Sequence, residues 1–249
     1  MKSNTAVVLC PMNCEYEYLV SQLEDKTEKQ IGGYTFFEGR INRLPVVMIR
    51  CLLGAVNAAV CTMLAMQRYE PSCVILQGTA GAHDPTLKIN DIVIGDRIVP
   101  LVNIISPKRG EGGGTDPFSW ECFGVESYSR AADSTAFVQS FSSDEKLAAL
   151  ARTVPYPYGR VIGGTVGCGD VWNRETDLIR HYRKTKGTDC EAMEGIGVAQ
   201  VCAAFGIPML EIRVISNNEL VENSRFSPEA AVNGQKFVVS LLTRMQDII

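Results

Sequence analysis

Four short runs of β-branched and aliphatic residues, at positions 5–10, 73–77, 160–166 and 209–215, each break off into polar or glycine-rich sequence. The breaks fall at 12–15, ending in Glu15; at Gly78-Thr79-Ala80-Gly81; at Gly169-Asp170-Val171-Trp172; and at Ser216-Asn217-Asn218. Between the runs lie segments with helical spacing or helical composition: 55–69, 143–152, 174–186, a small-residue stretch starting near 195, and 233–245. Strands alternating with helices in this way predict an α/β fold of three layers, α-β-α, around a central mixed, mostly parallel sheet. In open sheets of that kind ligands bind beyond the carboxyl ends of the strands. The four breaks are therefore expected to gather at one edge and form one crevice.

A chain of 249 residues, 46% hydrophobic and 21% charged, can bury a substantial core and is expected to form one domain spanning 1–249. Its net charge of −4 and lack of a dense Lys/Arg block argue against a nucleic-acid or anionic-membrane surface and leave a small molecule as the expected partner. No apolar run approaches membrane-spanning length and Met1-Lys2-Ser3-Asn4 does not open a signal peptide, so a cytoplasmic protein is expected. The nine cysteines include no Cys-x-x-Cys pair and sit mostly among apolar or small residues, where reduced thiols act as small hydrophobes. With only His83 and His181 besides, neither a metal nor an organic cofactor is expected.

The segment 189–218 carries the densest information. Glu191 and Glu194, three apart, are predicted to share the first turn of a helix whose small residues Gly195, Gly197 and Ala199 let it lie close to the sheet, with Gly206 and Pro208 ending it. Glu211 and Arg213 are the only charges in the strand that follows. Earlier, Asn13 is read as the cap of a helix carrying Tyr16, Leu19, Val20 and Leu23, and Glu15 in its first turn either serves the helix dipole or points into the crevice. Segments 34–38 and 45–51 read as a hairpin around Asn42 and Arg43. Residues 106–134 read as one long loop rich in Gly, Ser, Asp and Pro, and its Phe118, Trp120, Phe123 and Tyr128 favour a lid or subunit contact over a slack linker.

Taken together, Gly78-Thr79-Ala80-Gly81, Pro85-Thr86-Leu87-Lys88, Asp91-Ile92-Val93, Gly169-Asp170, Met193-Glu194 and Ile215-Ser216-Asn217 resemble, in order and spacing, the purine nucleoside phosphorylase superfamily. Within it the chain is most similar to the 5′-methylthioadenosine/S-adenosylhomocysteine nucleosidases and the futalosine hydrolases. The resemblance spans nearly the whole chain and implies a nucleoside-phosphorylase-like fold, a homodimer, and hydrolysis of the N-glycosidic bond of a purine nucleoside without a cofactor. It implies that Glu15 activates water, that Met193 and Glu194 grip the ribose, that Trp172 stacks on the base, and that Thr79, Ala80, Gly81 and Ser216 complete the substrate site. Such chemistry suits these residues, because the oxocarbenium-like transition state needs a carboxylate near the sugar and a carboxylate-activated water on the face opposite the leaving base. One departure stands out: Asn217 occupies the place where the nucleosidases carry an aspartic acid that protonates purine N7. An amide can donate a hydrogen bond to N7 or O6 but no proton, which suits a 6-oxopurine. The Glu191-Ala-Met-Glu-Gly195 pattern is similarly like that of futalosine hydrolases. Asp170 and Asn218 are alternative members of a proton relay. Two other readings remain at this point. A phosphate-dependent phosphorylase would need convergent arginines, with Arg40, Arg43 and Arg50 as candidates and a carboxylate at Glu15 opposing it; a non-catalytic nucleoside-binding protein would account for the missing aspartic acid.

Overall fold

The computed structural model describes residues 4–245. Strand β1 (Ala6–Cys10) leads through a 3₁₀ turn (Asn13–Glu15) and a short helix α1 (Glu17–Ser21) into β2 (Glu24–Ile31), β3 (Tyr34–Ile41) and β4 (Leu44–Arg50). Helix α2 (Ala55–Tyr69), β5 (Cys73–Ala82), β6 (Ile92–Pro100) and four short strands follow: β7 (Ile104–Ile105), β8 (Glu121–Cys122), β9 (Val125–Ser129) and β10 (Ser134–Val138). The chain continues with α3 (Glu145–Arg152), β11 (Val161–Cys168), α4 (Thr176–Lys186), β12 (Cys190–Ala192), α5 (Gly195–Phe205), β13 (Met209–Asn217) and α6 (Pro228–Met245).

Nine strands form one mixed sheet in the order β12-β11-β6-β13-β5-β1-β4-β3-β2. Its centre is parallel: β1 pairs with β4 and β5 in this sense, and β5 with β13. β1 is buried along its whole length and its residues alternate between two cores. Ala6, Val8 and Cys10 pack with Phe237, Val238 and Leu241 of α6; Val7 and Leu9 pack with Ala58 and Cys61 of α2 and Val198 and Cys202 of α5. Side chains that point alternately up and down from a strand buried on both faces produce the α-β-α layering expected from the sequence.

One end of the sheet closes on itself. β12, bonded in parallel to β11, also pairs antiparallel with β5, setting Glu191 opposite Gly81. Helix α5 presses against the start of α2 at Gly197, where a Cβ would collide with the Ala55 carbonyl oxygen.

Several local expectations change. The cap of the first turn is Met12, with Asn13 inside it, and the following helix is a stub that ends at Ser21. Glu191 lies on strand β12, and only Glu194 stands at the start of α5, so the two do not share a helix face. β2 had no signal in the sequence because it is an edge strand exposed on both faces, with Glu-Asp-Lys-Thr-Glu-Lys where an alternating pattern would be read. Region 106–134 is not a single loop: it contains β8, β9 and the first residue of β10, and β9 is tied to α5 by Arg130 N–H to Ala203 O and by Gln200 Nε2 to Glu126 O. The last helix starts five residues earlier than read, at Pro228 instead of 233. All nine cysteines are free thiols, seven of them buried.

Because the Gly197 contact is with backbone and cannot yield by rotamer change, Gly197→Ala should cost about 1–3 kcal/mol by overpacking. Chemical denaturation would show this as a lower midpoint; an unchanged midpoint would mean that α2 and α5 are free to separate.

Candidate active site

The strand ends at 12–15, 78–81 and 216–217 gather with Trp172 and the β12–α5 junction around one pocket. Glu15, Thr79, Ala80, Gly81, Trp172, Met193, Glu194, Ser216 and Asn217 all line it, from five separate stretches of chain. Glu191, Arg213 and Phe226 line it as well, and the sequence alone did not assign these three to the site.

Glu15 is 1% exposed, and the turn that ends β1 aims its carboxylate at β5. Oε1 accepts from the Thr79 N–H at 2.6 Å and from Thr79 Oγ1 at 2.8 Å, while Oε2 accepts from the Met12 N–H at 2.8 Å. This answers the question the sequence left open: the carboxylate faces the crevice and is held there by three donors. Burial pushes its pKa above the ordinary carboxylate value; the bonds from Thr79 and Met12 oppose that push and the charge of Glu194 adds to it. Gly78 must be a glycine for these groups to meet, since a Cβ would stand 2.8 Å from an Arg213 guanidinium nitrogen and 3.2 Å from Glu15 Oε1.

Glu194 is equally buried. Its Oε1 accepts from the Gly54 N–H at 3.1 Å, at the start of α2, and Oε2 accepts from Arg213 at 3.1 Å. Arg213 reaches in from β13 and its Nε donates to Glu211 Oε1 at 2.9 Å. Burial works against the guanidinium charge, but Glu211 and then Glu194 outweigh it and hold the pKa above its usual value. Glu211, wholly buried, is pushed up by desolvation and pulled back by Arg213.

At the other end of the pocket, Asn217 is fixed between two neighbours. Ser216 Oγ donates to its Oδ1 at 2.9 Å, and its Nδ2 donates to Glu219 Oε1 at 3.2 Å. Trp172 is half-exposed at the mouth, with its ring set against Phe226 at 6.3 Å. The two substitutes considered for a proton relay are occupied elsewhere. Asp170 Oδ1 accepts from the Ala55 N–H at 3.0 Å, capping α2, and Asn218 Nδ2 donates to the carbonyls of Asp84 and Leu87. The candidate phosphate-binding arginines do not reach the pocket either: Arg40 pairs with Asp25 on the surface, Arg43 is exposed in the β3–β4 turn, and Arg50 is not among the lining residues. Among the described residues no group of three or more His, Cys, Asp or Glu is placed to hold a metal ion.

The arrangement is thus a concave site with three buried carboxylates, an aromatic wall and an amide, on the fold that the sheet order defines. Comparison with known proteins agrees. The family model described as "Phosphorylase superfamily" matches residues 5–243, and the chain belongs to that superfamily. A 5′-methylthioadenosine/S-adenosylhomocysteine nucleosidase of Haemophilus influenzae is 30% identical over 240 residues, covering 93% of this chain and 95% of the relative. The fold is similar to that of the Neisseria meningitidis 5′-methylthioadenosine/S-adenosylhomocysteine nucleosidase solved with methylthio-immucillin-A, at TM-score 0.79 and 24% identity over 97% of this chain and 99% of that one. It is also similar to the futalosine hydrolase of Helicobacter pylori, at TM-score 0.76 and 20% identity over 97% and 98%.

Removing the cation from such a cluster leaves its carboxylates uncompensated, so Arg213→Met should cost about 3–5 kcal/mol of stability at neutral pH. Without Arg213, Glu211 loses the interaction that pulls its pKa back down, so its folded pKa stands further above the unfolded one than in the wild type and the variant's deficit should shrink as pH falls. Urea denaturation of both proteins at pH 8 and pH 5.5 measures this; a deficit that is constant with pH would contradict it.

Proposed function

We propose that this protein is a purine nucleosidase, hydrolysing the N-glycosidic bond of a purine nucleoside with water as nucleophile, and that the whole chain acts as one domain. The observation that carries the reading is the convergence of Glu15 and Glu194 in one pocket beneath an aromatic wall, although 179 positions separate them in the chain. Glu15, ionised, takes the proton of the attacking water. Glu194, anchored by Arg213 and the Gly54 N–H, meets the ribose hydroxyls and stabilises positive charge as the sugar becomes oxocarbenium-like. Met193 packs on the sugar, Trp172 covers the base, and Thr79, Ala80, Gly81 and Ser216 close the floor. Asn217 presents an N–H to the acceptors of the leaving base. The names of the relatives, 5′-methylthioadenosine/S-adenosylhomocysteine nucleosidases and a futalosine hydrolase, support this reaction class for the present chain.

Water is favoured over phosphate by charge. Among the described residues Arg213 is the only cation lining the pocket and is already committed to two carboxylates, while Glu15, Glu191 and Glu194 face the same space. An incoming phosphate dianion would meet repulsion without a partner. A non-catalytic binding protein would have no use for a buried carboxylate held by three donors at the sugar end.

A second copy of the chain is the proposed partner, docked on the exposed stripe of Val56, Val60 and Met63 along α2 and on Leu53, which also lines the pocket mouth. Three and four residues apart, these side chains share one helix face. The copy covers the 5′ end of the substrate.

The deciding experiment is release of free base from purine nucleosides with and without phosphate. Activity should be independent of phosphate with free ribose as product; Glu15→Gln should lower kcat by about 10²–10⁴-fold, as loss of a general base does, with the melting curve retained. Because Glu15 must be ionised to act and its pKa lies above the ordinary 4.5, kcat/KM should fall on the acid side with a midpoint above 4.5. Obligatory phosphate with a sugar-phosphate product would reject the proposal. For the pairing, light scattering should give twice the chain's mass, and Val60→Glu should yield a monomer with a raised KM; a wild-type monomer would remove the partner.

A further inference from the structure

Phe118 and Trp120, two of the aromatic residues that stood out in segment 106–134, have no part in the reaction as described. They line a second cleft, of about 410 Å³, which shares no residue with the catalytic pocket. A volume of that order lies in the range of small-molecule sites. One wall is Ile104, Phe118 and Trp120; the other is the part of α4 that carries His181, Tyr182 and Lys186. The Phe118 ring meets the His181 ring edge-on at 5.3 Å, which joins the two walls at one end. Tyr182 and Lys186 stand one helical turn apart and so share a face of α4.

The walls are aromatic, and the polar groups set among them are donors. Among the described residues the Trp120 indole N–H and the Tyr182 hydroxyl have no hydrogen-bond partner, and the Lys186 ammonium has no carboxylate partner. Trp120, Tyr182 and Lys186 are half-buried, whereas Glu121, the one carboxylate in the lining, is exposed. Water and salt screen an exposed charge more than a half-buried one, so the field inside the cleft is set by the lysine. A cation beside an indole N–H suits an oxygen anion, and flat aromatic walls suit a ring. The catalytic pocket has the opposite character, because three carboxylates line it and repel the same anion.

Helix α4 ties this cleft to the catalytic pocket. The Tyr182 ring lies on the His83 ring, 6.4 Å between centroids and 11° between planes, and His83 Nε2 is 3.0 Å from Oε2 of Glu191, which lines the catalytic pocket. The next residue of the helix, Arg183, pairs with Asp84 at 2.6 Å and with Asp189 at 2.9 Å, the neighbours of His83 and of β12. Just ahead of α4, the Asn173 N–H donates to Glu191 Oε1 at 2.8 Å. We infer that the cleft is a second ligand site, for a planar aromatic molecule carrying a carboxylate, and that its occupation is passed to Glu191 through Tyr182 and His83. The ring enters between Trp120 and Tyr182, and the carboxylate pairs with Lys186 and accepts from the Trp120 N–H. A ligand seated there holds Tyr182 against His83 and so stiffens the chain around Glu191.

The test is titration calorimetry of the whole protein with 1-naphthoate and with its neutral analogue 1-naphthamide. Naphthoate should bind once per chain with a Kd below about 1 mM. The amide should bind at least about fivefold more weakly, the share of one partly exposed ion pair. Lys186→Met should erase the difference between acid and amide, and Trp120→Ala should weaken both at least about tenfold, as loss of an aromatic anchor does. Lys186 is a surface position of α4, so that variant decides the matter even if Trp120→Ala fails to fold. Hydrogen exchange in segments 171–175 and 189–194 should slow when naphthoate binds. Absence of binding up to about 10 mM, or binding that the variants leave unchanged, overturns the site. Equal affinity of the wild type for acid and amide overturns the anion class. Binding that depends on Lys186 but leaves exchange in those two segments unaltered overturns the link to Glu191.

Discussion

A single buried guanidinium makes the rest of this site foldable. Arg213 bridges Glu194 and Glu211 in a region where all three side chains are almost wholly excluded from water, and Glu15 stands next to it across Gly78. Carboxylates in such a place cannot all remain charged without a compensating cation and donors, since desolvating an unpaired ion costs several kcal/mol. Arg213, the Gly54 N–H and the Thr79 and Met12 donors supply that compensation from four different parts of the chain. The pocket carboxylates Glu15 and Glu194 are thus held by bonds that tie together β1, β5, β13 and the start of α2.

The same cluster governs what the pocket can accept. A buried arginine satisfied by two carboxylates is electrostatically spent, and the surface it leaves to a ligand is one of net negative character. Such a surface stabilises positive charge developing on a sugar and repels an anionic nucleophile. Membership of a superfamily named for phosphorolysis is compatible with this, because the fold carries the pocket and the charge lining it selects the nucleophile. The rise of the Glu15 pKa follows from the same environment: burial is its main cause and the charge of Glu194 adds to it, and it shifts the group in the direction that suits a general base.

Much of this was legible in the chain before any coordinates. Buried runs that end in polar or glycine-rich residues announce strand ends that share a crevice, and that rule alone drew Glu15, Thr79, Asn217 and Trp172 toward one place. The parts that were not legible failed for physical reasons. Glu191 belongs to a strand of three residues, too short to show a period, and its three-residue distance from Glu194 imitated a helical turn. Arg213 sat in plain view as a charge within a buried strand, but its meaning depended on partners 2 and 19 residues away whose convergence only the folded sheet creates. β2 carries no apolar face to read, and Phe226 lies in irregular chain between β13 and α6.

The closure of β12 on β5 is what turns a general scaffold into a particular site. Were the sheet open at that end, Gly81 would be an edge residue and the pocket would lack the carboxylate of Glu191. By returning to β5, the three-residue strand places a carboxylate beside Gly81, while Met193 and the carboxylate of Glu194 just after it line the same pocket. With β12 followed at once by the start of α5, Glu191 and Glu194 reach the pocket from two different elements within four consecutive residues. The two carboxylates are held independently, because Glu194 is anchored through Arg213 and Gly54 and Glu191 through Asn173, two sets of bonds that have no residue in common.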